Sequence, residues 1–112
     1  MDLPEIPQQA TVRDWQNYMA KLVKARGWDK ASDLEIFLLL TEEVGELAKA
    51  YRRHRSLFSE AAKSPVPHGK EEIASELADV FSYLLDIAQR LDIDLEQALK
   101  DKELHNRKRQ WS

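Results

Sequence analysis

Prolines occur in only two places in this chain, and their absence elsewhere is the strongest constraint on its fold. Pro4 and Pro7 lie near the N-terminus, and Pro65 and Pro67 lie in the segment 64–69. Proline removes a backbone donor and restricts the residue before it, so helices end at such positions. The chain also has only three glycines. The long stretches between and after the prolines can therefore form uninterrupted helices.

Apolar residues recur at spacings of three and four, and no stretch alternates as a strand does. Two starts match the capping box, Ser32 with Glu35 and Asp94 with Gln97. The predicted helices run from Thr11 to about Gly27, from Ser32 to about Ser59, from about Lys70 to Leu91 and from Asp94 to about Gln110. The sequence therefore predicts an all-α fold resembling a four-helix bundle.

The length of 112 residues fits one domain, 1–112, with residues 1–10 as an N-terminal tail. The proline-containing segment, at about residues 60–70, is predicted to be the loop between the second and third helices. A domain this short buries only about two-thirds of its unfolded surface. We therefore expect a second copy of the chain to complete the core, and the bundle to be completed by oligomerisation.

Several classes of protein are disfavoured by composition. The chain has no cysteine, which excludes disulfides, thiol nucleophiles and cysteine-ligated metals. Its start has no signal-peptide pattern and no apolar run approaches the roughly 20 residues that span a bilayer, so we expect a cytoplasmic protein without a membrane partner. The net charge of −3 disfavours nucleic-acid binding, although residues 106–109 are locally basic.

Glu43 occupies an unusual position on the second predicted helix. At about 100° per residue it falls inside the apolar arc, with Ile36 and Ala50 only about 20° to either side. A buried ion without compensation costs several kcal/mol, so something must neutralise this carboxylate. Glu46, one turn further on, lies at the edge of the same face.

The third helix repeats this arrangement. Glu76 lies at the margin of its apolar arc, Asp79 lies just beyond, and Tyr83 projects between the two acids. If the helices pack, the two carboxylate pairs converge, and converging carboxylates repel one another unless a cation shares the site. Mg²⁺ prefers such oxygen ligands. A solvated charged face is the ordinary explanation of one such pair, whereas two pairs beside apolar arcs favour a metal site.

The segments 42–47 (EEVGEL) and 76–80 (ELADV) resemble the EExxE…ExxD signature of the MazG-like, all-α nucleoside triphosphate pyrophosphohydrolases. The resemblance runs from about Trp28 to Arg109. Features outside the signature also look similar to the dCTP-pyrophosphatase branch, namely Trp28, Tyr83 and the pattern Lys102-x-x-x-Asn106-Arg107. The resemblance implies Mg²⁺-dependent cleavage of a nucleotide between the α- and β-phosphates, with Mn²⁺ able to substitute, on a helical bundle that forms dimers or tetramers. Clearance of unwanted nucleotides from the cellular pool is one role for such an activity.

Residue roles follow from the resemblance and from the helical faces. We expect the carboxylates of four residues to bind Mg²⁺: Glu43, Glu46, Glu76 and Asp79. Sequence does not separate ligand from base; Glu46 is the preferred catalytic residue for accepting a proton from water, and Glu43 is the second candidate.

Substrate contacts are predicted from residues outside these pairs. Trp28 and Tyr83 are candidates for nucleobase contact, although an aromatic residue on a bundle face is more often part of the core. Lys102, Asn106 and Arg109 align on one face of the last helix as phosphate contacts, and a solvated basic helix end explains them equally well.

Base and sugar preference stay open, because Arg52 and Arg53 stand where dCTP-directed relatives carry an aromatic residue. The competing hypothesis is a non-enzymatic helical module that binds a protein partner with its apolar arcs and exposes its acids.

Overall fold

The computed structural model describes residues 2–55 and 69–109. Within them the chain forms four α-helices and one short 3₁₀ turn, and no strand. The helices are α1 (Val12–Ala25), α2 (Asp33–His54), α3 (Gly69–Arg90) and α4 (Leu95–Lys108), and the 3₁₀ turn is Trp28–Lys30. The all-helical prediction is confirmed.

Most predicted helix boundaries agree with the structure to within one or two residues. The predicted ends at Ser59 and Gln110, and most of the loop predicted at about 60–70, lie outside the described residues. Gly69 and Lys70, which the predicted loop included, already belong to α3. The 3₁₀ turn was not predicted.

The helix starts show how side chains set these boundaries. Thr11 and Asp14 form a complete capping box, since each side chain bonds the backbone N–H of the other. Asp94 caps α4 by accepting from the Gln97 N–H at 3.1 Å. The Gln97 side chain donates instead to Asp101 at 2.9 Å, so only half of that predicted capping box is formed.

The chain divides into two compact units. The terminal unit comprises the described residues of Met1–Ser32 and Leu85–Ser112. Its core is built on three buried residues, with four partly buried neighbours packed against them. These are Met19, Val23 and Leu85, and then Val12, Trp15, Leu22 and Leu95.

Polar contacts tie α1 to the start of α4 within this unit. Arg13 forms ion pairs with Asp94 at 2.8 Å and with Glu96 at 3.0 Å. The first of these contacts holds the pKa of Arg13 above its usual value, while the pKa of Asp94 is lowered first by the Gln97 N–H and then by Arg13.

The central unit, Asp33–Leu84, contains α2 and most of α3. Ile36 and Ala50 are buried, as the apolar arc of α2 predicts. Arg53 on α2 pairs with Glu72 on α3 at 3.1 Å. This ion pair joins α2 to α3 within the central unit.

The predicted apolar arcs are wider than the surface that one chain covers. Val44 and Tyr51 on α2, and Leu77 and Leu84 on α3, remain exposed. Leu34 and Leu38, near the start of α2, are 77% and 71% exposed. Large apolar side chains are thus left in water on both helices of the central unit. None of the described helices is both long and apolar enough to cross a bilayer.

Candidate metal centre

The central unit brings three carboxylates together from two helices. Glu43 lies in the middle of α2, and Glu76 and Asp79 lie one turn apart on α3. One oxygen from each lies within 4.8 Å of the others. Glu43 and Glu76 are partly buried and Asp79 is exposed. The cluster is therefore open to a ligand on one side and bounded by protein on the other.

Burial and neighbouring like charges both disfavour the ionised form of Glu43. Burial is the largest influence raising the pKa of Glu43, followed by a hydrogen bond with Glu76 and the charges of Asp79, Glu76 and Glu46. A carboxyl whose pKa is raised resists ionisation, so without a cation the charged cluster is unfavourable.

One buried carboxylate oxygen in the cluster has no hydrogen-bond partner, and a cation could fill that role. Glu76 Oε2 is buried and has no hydrogen-bond partner, whereas buried polar atoms in folded proteins nearly always have one. A cation would satisfy this oxygen as well as neutralise the surrounding charge. Carboxylate oxygens are the ligands that hard divalent cations such as Mg²⁺ prefer. The donor set therefore fits the predicted metal.

Glu46 is placed differently from the other three predicted ligands. It is exposed, and it does not belong to the group of three oxygens. Its charge nevertheless contributes to raising the pKa of Glu43. The structure thus separates one peripheral carboxylate from three central ones, and the role of Glu46 stays a prediction.

The predicted substrate contacts fall in both units. Tyr83 is partly buried on α3, one turn beyond Asp79. Trp28, Lys102, Asn106 and Arg109 belong to the terminal unit. Lys102 and Arg109 are exposed and Asn106 is partly buried. Arg109 caps the end of α4, where its backbone N–H donates to the Asn106 carbonyl. The binding roles of all five stay predictions.

Trp28 has an unusual setting. It opens the 3₁₀ turn, its side chain is 51% exposed, and the Arg26 guanidinium lies 5.2 Å from its ring centroid. The ring is therefore available to solvent. The turn follows Gly27, whose backbone φ of 74° lies in the left-handed region that glycine adopts most easily.

Sequence reasoning missed a buried ion pair on α3. Asp86 is 5% exposed, and its Oδ1 lies 2.8 Å from Nε of Arg90. The available signal was an acid inside the apolar run 84–88 (LLDIA), where a solvated charge is unexpected, with a base four residues further on.

Fold and site together define a class: an all-helical protein whose central helices collect three carboxylates into a candidate site for a divalent cation. The sequence matches the MazG nucleotide pyrophosphohydrolase domain over residues 32–110, and the chain belongs to this family. The match contains every predicted site residue except Trp28, and it confirms the resemblance on which the residue roles were based.

Two curated relatives are similar over most of the chain. They are the proteins named dCTP pyrophosphatase 1 of Mus musculus and of Rattus norvegicus. Each is 30% identical over 102 residues, which cover 90% of this chain and 59% of the relative. The chain thus spans 59% of the length of these curated relatives.

Proposed function

We propose that this protein is a Mg²⁺-dependent nucleoside triphosphate pyrophosphohydrolase. The reaction cleaves the bond between the α- and β-phosphates and yields a nucleoside monophosphate and pyrophosphate. The observation that carries the proposal is the cluster of Glu43, Glu76 and Asp79, whose ligand oxygens lie within 4.8 Å of one another beside a buried oxygen without a partner. Membership of the MazG family supports the same reaction.

The three clustered carboxylates, one on α2 and two on α3, would hold the cation. When bound, Mg²⁺ supplies charge neutralisation for the triphosphate and lowers the pKa of a nearby water. Mn²⁺, with similar oxygen preference, is the expected substitute.

Glu46 and Glu43 are the proposed catalytic residues. Glu46 is also a proposed Mg²⁺ ligand, and because it is exposed and outside the group of three, its carboxylate is the one not fully used in holding the cation. It is suited to accept a proton from the attacking water. Glu43 is the second candidate for this role, and as a member of the cluster it would also hold the cation.

Other residues are proposed to bind the substrate. Tyr83, one turn beyond Asp79, and the exposed Trp28 contact the nucleobase, since aromatic rings stack on any base. Three residues of α4 contact phosphate oxygens: Lys102, Asn106 and Arg109. The names of the mouse and rat relatives make dCTP the first nucleotide to test.

The exposed apolar side chains support a homo-oligomer, a dimer or tetramer. Leu34, Leu38 and Leu77 are each more than half exposed on the two helices that build the metal site. Large apolar side chains exposed in this way favour an interaction site, and a second copy of the chain carries the same surface. Light scattering coupled to size-exclusion chromatography should give a mass of at least two chains, and a monomer at micromolar concentration would contradict this assignment.

The activity is tested with purified protein, Mg²⁺ and a panel of canonical and modified ribo- and deoxyribonucleoside triphosphates. We expect pyrophosphate as the product, and release of phosphate alone would contradict cleavage between the α- and β-phosphates. Glu43→Gln, Glu76→Gln and Asp79→Asn should each lower kcat at least 100-fold, on the order expected for lost metal-assisted catalysis. Glu103→Gln is the matched control, because Glu103 is 62% exposed on α4.

Calorimetry separates this proposal from a non-enzymatic interaction module. The enzyme should bind Mg²⁺ together with a non-hydrolysable nucleoside triphosphate, whereas a module that only binds a protein partner should give no heat with either.

A further inference from the structure

The buried ion pair of α3 reaches beyond its own helix. Arg90 donates from Nη1 to the carbonyl oxygen of Ala31 at 2.6 Å and from Nη2 to that of Trp28 at 2.8 Å. Its Nε donates to Asp86 at 2.8 Å, and Gln89 also donates to that carboxylate at 2.9 Å. The guanidinium therefore joins α3 to both ends of the 3₁₀ turn.

The turn depends on these bonds more than a longer helix would. It contains three residues, and its closing bond runs from the Ala31 N–H to the Trp28 carbonyl at 3.1 Å. A single 3₁₀ turn has poor hydrogen-bond geometry and little stability of its own. Because Arg90 binds the two carbonyls on either side of this turn, it sets the position of the Trp28 backbone.

The buried Asp86–Arg90 ion pair is not well explained by a gain in stability alone. The Arg90 and Asp86 side chains are only 9% and 8% exposed, and the loss of water around two buried charges commonly offsets their attraction. Apolar residues of similar volume often stabilise a fold as well or better. A buried charged pair that binds main-chain carbonyls is therefore better explained by what it positions.

What it positions is a half-exposed aromatic ring. The Trp28 side chain is outside the core, while its backbone is held by a buried group. An exposed ring whose backbone is held in place needs less further ordering when it binds a flat ligand, and preorganisation of this kind raises affinity.

We propose that Arg90, held by Asp86, is a positioning residue for the substrate: it fixes the 3₁₀ turn that presents Trp28 to the nucleobase. The inference rests on the proposed hydrolysis of nucleoside triphosphates. Arg90 itself touches neither the phosphates nor the metal ligands. Its loss weakens binding of the base and leaves the chemical step intact.

The kinetic test compares Arg90→Lys with the wild type on two substrates. Lysine keeps the charge beside Asp86 but lacks the fork that binds two carbonyls. KM for the preferred nucleoside triphosphate should rise about tenfold, within the range of base stacking on an aromatic ring, while kcat changes less than twofold. Ribose 5-triphosphate, which has the same anhydride bond and no base, should show no change.

A double-mutant cycle connects the effect to Trp28. Trp28→Ala should raise KM, and adding Arg90→Lys to it should raise KM no further. The double variant Asp86→Leu with Arg90→Met removes both charges of the buried pair together. No unpaired buried charge is then left to cause a folding defect. Arg13→Met is the control, since Arg13 also ties two elements of the terminal unit but is 46% exposed.

A spectroscopic measurement tests the positioning without any turnover. Protein labelled with 5-fluorotryptophan has three ¹⁹F resonances, one for each tryptophan, and Trp28→Phe identifies the one from Trp28. Arg90→Lys should shift or broaden this resonance and leave the other two unchanged.

The outcomes distinguish this inference from the proposed function. An unchanged Trp28 resonance in folded Arg90→Lys, equal losses on both substrates, or additive effects in the cycle would overturn the role of Arg90. If the wild type hydrolyses no nucleoside triphosphate while the Trp28 resonance responds to Arg90→Lys, the proposed function fails and the positioning of the ring stands.

Discussion

Removing the charge of Glu43 should stabilise the metal-free protein while weakening its response to Mg²⁺. Glu43 is surrounded by the carboxylates of Glu76, Asp79 and Glu46, and burial adds to the cost of its ionised form. Glu43→Gln keeps the size and shape of the side chain and removes its charge. Most substitutions at a partly buried position destabilise, so a gain in stability would be a specific signature of this cluster.

The size of the stability gain in Glu43→Gln follows from the distances between the carboxylates. Unit charges about 4–5 Å apart repel by roughly 1 kcal/mol under water-like screening, which is appropriate because Asp79 is exposed and the other two carboxylates are only partly buried. Two close neighbours, Glu76 and Asp79, together contribute about 2 kcal/mol at this screening. For a domain near 100 residues this is an increase of roughly 5–10 °C in Tm.

The sign of the pH dependence is also determined. The pKa of Glu43 is raised above its ordinary 4.5, so the folded state of the wild type binds this proton more tightly than the unfolded state does. That contribution to stability is fully present below about pH 4.5 and is lost as the pH rises through the folded-state pKa. The advantage of Glu43→Gln should therefore be absent at low pH and appear as the pH approaches neutrality.

Mg²⁺ should reverse the order of stability, making the wild type more stable than Glu43→Gln. At a concentration about 100 times its Kd, a ligand that binds only the folded state stabilises by about 2.7 kcal/mol. The wild type should gain this stabilisation, and Glu43→Gln should gain much less because one of three ligands is weakened. Thermal unfolding with EDTA and with Mg²⁺, between pH 4 and pH 8, measures both effects.

Glu103→Gln is the control for general effects of charge. The reasoning would be refuted if Glu43→Gln lost more than about 1 kcal/mol of stability in EDTA at pH 7, which exceeds the scatter expected for surface changes. An equal Mg²⁺ stabilisation of wild type and Glu43→Gln would refute the assignment of Glu43 as a ligand.

Three further substitutions test the backbone and the caps by thermal and urea unfolding. Gly45→Ala should stabilise by about 0.5–1 kcal/mol, because Gly45 lies inside α2 and an added Cβ meets nothing within 4 Å; a loss of stability would mean that a partner approaches this face. Gly69→Ala should destabilise, since its Cβ would overlap the imidazole of His54, and an unchanged Tm would show that the two helix ends do not meet as described. Thr11→Ala should lower Tm by roughly 5 °C through loss of the capping box with Asp14, and Thr11→Ser, which keeps the hydroxyl, should restore most of it.

Much of the fold could be predicted because its causes are local. The Thr11 start and the Asp94 cap each act within a few residues of the helix end that they define. The spacing of Glu76 and Asp79 is likewise local, because residues three apart on a helix share a face wherever that helix packs.

The make-up of the site could be predicted only in part. The sequence placed Glu43 inside the apolar arc of α2 and Glu46 at its edge and predicted both as ligands, and the structure groups only Glu43 with the α3 carboxylates. Which of two neighbouring acids reaches across depends on how α2 is rotated toward α3, and that rotation depends on contacts between residues far apart in the chain.

The sequence by itself determined that this chain is helical and that its acids lie beside apolar faces, because helical periodicity converts spacing directly into position. It also determined that these acids match the MazG signature. Only the tertiary structure decided that three carboxylates form the central cluster, that the apolar arcs exceed what one chain covers, and that Arg90 holds the turn of Trp28. These features depend on contacts between residues distant in sequence, as from Arg90 to Trp28, and no local pattern encodes the distance between such atoms.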